Sequence, residues 1–162
     1  MTLPDDIILF EKEPIINQIY GRIDPHPNLT YIKFAPEFTK DVPELSIHAY
    51  SGDGGQRVSP ILYLSSAQVN ILSLSIFLAR SLQSNDNALN TIFMDDPIQH
   101  LDSINILTFI DLLRTITTEM DRQIILSTHN DSFYRLIKKK IDPEYFNAKY
   151  LELETYGILK DD

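Results

Sequence analysis

The chain has 162 residues, 43% apolar and 23% charged, a formal net charge of -9, and neither Cys nor Trp. That fits one globular domain with a core of its own and excludes a disordered tail, a disulfide scaffold, a Cys-ligated zinc site and a thiol nucleophile. The acidic balance argues against a broad nucleic-acid footprint on this chain alone, no long apolar run could span a bilayer, and the acids of MTLPDDIILFEKEP stand where a signal peptide carries bases, so the sequence reads as cytoplasmic.

Residues 5–23 carry apolar side chains at helical spacing, with Pro14 predicting either a restart of the helix or a separate turn before it. Asp24-Pro25-His26-Pro27 breaks regular structure. The stretches 29–34 and 45–50 alternate as half-buried strands, and Ser51-Gly52-Asp53-Gly54-Gly55 predicts a tight turn into a third strand over 58–64. Residues 65–82 are apolar around most of the girth, which predicts a buried helix, and 84–90 read as a loop. Thr91-Ile92-Phe93-Met94 is a short apolar strand ending in two carboxylates. A helix over 103–118 follows, capped by Asp102 or Ser103, then a strand over 123–127, a helix through Lys140 and an alternating strand over 149–156. The order predicts an α/β fold, with a mostly parallel sheet flanked by helices on both faces and an antiparallel hairpin before it.

In such sheets chemistry collects at the C-terminal strand ends. Asp95-Asp96 ends one of them, and the pair either holds a hydrated Mg²⁺ or caps the turn into Pro97. Ser127-Thr128-His129 ends another, where His129 is either functional or a satisfied structural residue. Leu64-Ser65-Ser66-Ala67-Gln68 opens the apolar helix, and its N-terminus is either an anion site or a plain N-cap.

Taken in order, these segments resemble the C-terminal lobe of ABC-type ATPases, in the branch of SMC and double-strand-break-repair ATPases and their bacterial relatives in defence systems. LSSAQ (64–68) is similar to the signature motif, TIFMDD (91–96) to Walker B, Leu101-Asp102 to the D-loop, and His129 to the switch histidine. Residues 20–27 resemble the end of a coiled-coil arm, so the resemblance divides the chain into an arm end or connecting helix over 1–28 and an ATPase lobe over 29–162. It implies that Asp95 holds Mg²⁺, that Asp96 orients or deprotonates the attacking water, and that His129 bonds the γ-phosphate region. It further implies that Ser65, Ser66 and Gln68 close over the ATP of an opposing head and that Asp102 links the two sites.

Four positions depart from the family pattern. Ser66-Ala67 replaces paired glycines, Asp96 stands where the family usually has Glu, and His100 precedes the D-loop. None of the glycines, at 21, 52, 54, 55 and 157, begins a G-x-x-x-x-G-K-[ST] phosphate loop. The resemblance therefore implies a P-loop-bearing N-terminal lobe as partner, a second head as dimer partner, ATP and Mg²⁺ as cofactors, and DNA or a nuclease subunit downstream. The alternatives are a non-catalytic docking module with decayed motifs and a free-standing metal hydrolase built on Asp95, Asp96 and His129.

Overall fold

The computed structural model describes residues 4–24, 26–37, 44–51, 55, 57–82, 90–155 and 157–160. Helix α1 (Pro4–Ile23) runs through Pro14 without a break. A proline removes one main-chain donor, and here the turns after it are anchored by Ile16, Ile19, Tyr20 and Ile23, all buried on one face. The predicted restart is therefore absent. Polar staples bind α1 to strand β1 (Tyr31–Glu37): Asn17 Nδ2 donates to the Ile32 carbonyl at 2.8 Å, its Oδ1 accepts the Ile32 N–H at 2.7 Å, and Tyr31 Oη donates to Glu13 Oε1 at 2.7 Å.

Strand β2 (Glu44–Tyr50) pairs antiparallel with β1, Tyr31 opposite Tyr50, and β3 (Arg57–Val58) adds two residues on the far side. The strand expected over 58–64 stops there because Pro60, which suits the first position of a helix, opens the single turn α2 (Pro60–Tyr63). The tight turn read at 51–55 lies largely outside the described residues, as does most of the loop at 84–90.

Helix α3 (Ser66–Leu82) packs on α1 and buries Ile71, Leu72, Leu78 and Ala79, while Phe77 remains 41% exposed, so its girth is less covered than the sequence suggested. Strands β4 (Thr91–Asp95) and β5 (Gln123–Ser127) run parallel, from Thr91 opposite Gln123 to Asp95 opposite Ser127. Helices α4 (Ser103–Glu119) and α5 (Asp131–Lys140) follow them and supply Phe109, Ile110, Ile116 and Phe133 to the core. Ile92 and Met94 turn into that core, but Phe93 and Ile125, opposite one another across the pair, are 59% and 47% exposed. The expected covering of both sheet faces is thus missing on one face among the described residues. Asp95 and Ser127, two residues further along, point to that same open face by strand alternation.

The last predicted strand, 149–156, is instead a short hairpin of β6 (Leu153–Thr155) and β7 (Ile158–Leu159). Gly157 turns it at φ +77°, a left-handed conformation that glycine adopts freely. Tyr156 lies outside the described residues. The architecture is mixed α/β, with a small parallel sheet, antiparallel hairpins and packed helices. Among the described residues no helix is long and apolar enough to cross a membrane.

Candidate active site

Two parallel strands that end together place their exits side by side, and here the exits carry the carboxylates. Asp95 closes β4 opposite Ser127, whose hydroxyl donates to Asp95 Oδ1. At Asp96 the chain leaves the strand with φ +43°, a left-handed conformation that Asp tolerates better than most residues, while its N–H still bonds the Ser127 carbonyl at 2.8 Å. This bend directs the Asp96 carboxylate across to the exit of β5. Oδ1 accepts the Thr128 hydroxyl at 2.9 Å; Oδ2 lies 2.7 Å from His129 Nδ1 and 3.3 Å from Gln99 Nε2. The Asp96 side chain is only 11% exposed, whereas that of His129 is 83% exposed. The carboxylate is therefore held within the fold, and its His129 partner stands in solvent.

An open groove of about 430 Å³ runs beside these groups, lined among others by Asn70, Phe77, Phe93, Asp95, Asp96 and Gln99. Asn70 Nδ2 donates to the Gln99 carbonyl at 2.5 Å, which ties the turn after Asp96 to α3. Asp95 suits a cation that takes most of its ligands from water and phosphate, as Mg²⁺ does. Among the described residues no three His, Cys, Asp or Glu side chains gather as a metal cage, which leaves the free-standing hydrolase without its ligand set.

The other expected residues lie apart from this cluster. Ser65 and Gln68 form a capping box: the Ser65 N–H donates to Gln68 Oε1 at 3.0 Å, and the Gln68 N–H donates to Ser65 Oγ at 3.2 Å. Ser66, exposed in the first turn of α3, lines a second depression of about 370 Å³ with Ile61, Val69, Asn70, Ser73 and His100. The two depressions share Asn70 and Ser73. Asp102 caps α4, accepting from the N–H groups of Ile104 at 3.0 Å and Asn105 at 2.8 Å.

The structure thus joins Asp95, Asp96 and His129 and keeps Ser65, Ser66 and Gln68 at a neighbouring helix start. Sequence reasoning assigned no role to Gln99, Ser127 or Thr128, the groups that hold the two carboxylates. Ser127 and Thr128 sat in the segment already marked by His129, and two hydroxyl residues at the end of an apolar strand were the available signal. Gln99 lies in a turn without periodicity and gave none.

No protein-family model matches the chain, and no curated protein does. Solved structures do. One, from work on ATP-driven dimerization and DNA stimulated activation of SMC ATPases, superposes with a TM-score of 0.59 at 19% identity, covering 96% of this chain and 86% of that one. The fold is that of an SMC ATPase head's C-terminal lobe. Two further structures agree. The Smc head domain with an extended coiled coil bound to the C-terminal domain of ScpA, from Pyrococcus furiosus, gives 0.53 at 21% identity over 76% of this chain. The Smc head bound to the C-winged helix domain of ScpA gives 0.55 at 23% identity over 76%. The matched part of this chain spans 29% and 36% of those two head structures.

Proposed function

We propose that the chain is the C-terminal half of an SMC-like ATPase head, which completes an ATP-hydrolysing site with a P-loop-bearing N-terminal lobe and closes over the ATP of an opposing head. The observation that carries this reading is the hydrogen-bonded set Asp95, Ser127, Asp96, Thr128 and His129, at the exits of two parallel strands and at the end of an open apolar sheet face. Asp95 would hold Mg²⁺, largely through its water, and Asp96 would orient or deprotonate the attacking water. Bound Mg²⁺ and ATP supply the phosphoryl group and the charge neutralisation that its transfer requires. His129, exposed and bonded among the described residues at Nδ1, would turn from Asp96 toward a phosphate oxygen. Residues 1–28 would be the end of a coiled-coil arm or a connecting helix, and Asp102 would link the two sites across the dimer. A cytoplasmic role in DNA repair or defence, with DNA or a nuclease subunit as the downstream partner, belongs to the same proposal.

The capping box favours a second reading, a docking module without turnover, because it occupies two of the side chains that should reach the opposing nucleotide. A mixed pair of heads separates the two. When one head carries Ser66→Arg and the other a disabled P-loop lysine, both defects fall in one composite site, and hydrolysis by the other site survives. With both changes in the same head, each composite site is damaged and hydrolysis vanishes. Equal activity in the two arrangements would refute the role of Ser65, Ser66 and Gln68 in trans, and an absence of turnover in every assembled head would favour the docking module.

A further inference from the structure

The Asp96 carboxylate has two oxygens in different surroundings. Oδ2 faces His129, an exposed side chain, and Gln99, at 3.3 Å the longest contact in the set. Oδ1 faces Thr128 at 2.9 Å. The Thr128 hydroxyl also accepts the Asn130 N–H at 3.1 Å, so its lone proton is left for the carboxylate and the direction of the Thr128–Asp96 bond is determined. Asn130 in turn caps α5, its side chain accepting from the Phe133 N–H at 2.9 Å, and Phe133 is fully buried. A continuous line of bonds thus runs from the core of the molecule through the start of α5 to one oxygen of Asp96.

We propose that Thr128 is the positioning residue of Asp96: it fixes Oδ1 and leaves Oδ2 as the oxygen that faces the attacking water once His129 turns away. The inference rests on the function proposed above and adds a residue to it. The carboxylate torsion of an aspartate is broad and two-fold, so which oxygen faces which way must be set by its neighbours. A carboxylate free to rotate spends most of its time misdirected, and small misplacements at a reacting centre are costly in rate. His129 cannot serve this purpose, since it is the partner expected to leave. Gln99 assists from the other side, but its own anchor is a turn.

The test uses the assembled two-lobe head and the chain alone. Thr128→Val keeps the shape and removes the hydroxyl; Thr128→Ser keeps the hydroxyl. In the assembled head Thr128→Val should lower kcat about ten- to a hundredfold with KM for ATP nearly unchanged, Thr128→Ser should stay close to the parental rate, and adding Thr128→Val to Asp96→Asn should cost nothing further. In the chain alone, three-bond NMR couplings should report one Asp96 χ1 rotamer in the parent and in Thr128→Ser, and an averaged one in Thr128→Val. Should Thr128→Val not fold, Thr128→Ala carries the same comparison with serine. A parental kcat in Thr128→Val, a serine variant as impaired as the valine one, or an unaveraged Asp96 rotamer without the hydroxyl overturns the inference. If instead Asp96→Asn itself hydrolyses ATP at the parental rate, it is the assignment of Asp96 that fails, and the rotamer measurement alone then judges whether Thr128 positions it.

Discussion

Ser65 and Gln68 bond each other reciprocally across the first turn of α3, hydroxyl to N–H at 3.2 Å and amide oxygen to N–H at 3.0 Å. The box satisfies two main-chain donors at the helix start, so its first contribution is to stability. Ser65→Ala should therefore cost about 1 kcal/mol in denaturant unfolding of the chain alone. An unchanged unfolding midpoint would mean that the box is not closed in solution.

Asp96→Asn removes the basic oxygen and retains the size of the side chain. In the assembled head, turnover should fall by about 10²–10⁴-fold, with ATP binding and ATP-dependent head pairing intact. Single-turnover hydrolysis measured beside equilibrium nucleotide binding checks both halves of that statement. Hydrolysis at the parental rate would move the base role elsewhere, His129 being the next candidate.

Phe93 and Ile125 face each other on the open side of the β4–β5 pair, 59% and 47% exposed. A charge placed there has little native packing to disturb. Phe93→Asp should leave the unfolding free energy of the chain alone within about 0.5 kcal/mol of the parent. It should also abolish co-purification with a P-loop-bearing lobe that covers this face. Retained assembly would show that the lobe docks elsewhere.

Tyr20 is 2% exposed, and its hydroxyl has no hydrogen-bond partner among the described residues. Burial, aided by the charge of Asp24, raises its pKa from 10.0 to about 12. The folded state therefore holds the phenol proton more tightly than the unfolded chain does. The linked contribution is full below pH 10 and is lost as pH rises toward 12. Tyr20→Phe removes the unpaired hydroxyl and should stabilise the chain by about 1 kcal/mol near neutral pH. It should also flatten the fall in stability above pH 10 that Tyr20 produces, as thermal unfolding at a series of pH values would show. A destabilised Tyr20→Phe would mean that the hydroxyl is bonded in solution.

Where local chemistry decided the outcome, the sequence was legible. The apolar runs at Thr91–Asp95 and Gln123–Ser127 are strands, Asp102 is the cap of α4, and the carboxylates fall at a strand exit as their position after TIFM implied. Where the outcome depended on what packs against a segment, it was less so. Pro14 breaks the pattern on paper, but the buried face from Ile16 to Ile23 carries the helix through it. Pro60 outweighed the β-branched and aromatic residues around it, so the third strand is short. Alternation over 149–156 promised one strand and concealed the reversal at Gly157. The supporting shell of the carboxylates was the least readable part. Gln99 meets Asp96 through a turn, and Thr128 meets it across two strands separated by a whole helix, relations that no short spacing encodes.

The open face of β4–β5 also bears on how the chain behaves in isolation. Phe93 and Ile125 form an adhesive stripe, and Phe77 on α3 stays exposed at the groove that Phe93 also lines. Apolar surface of this kind meets its own copies as readily as its proper complement. Self-association of the chain alone would then rise with concentration and would compete with any lobe that covers this face.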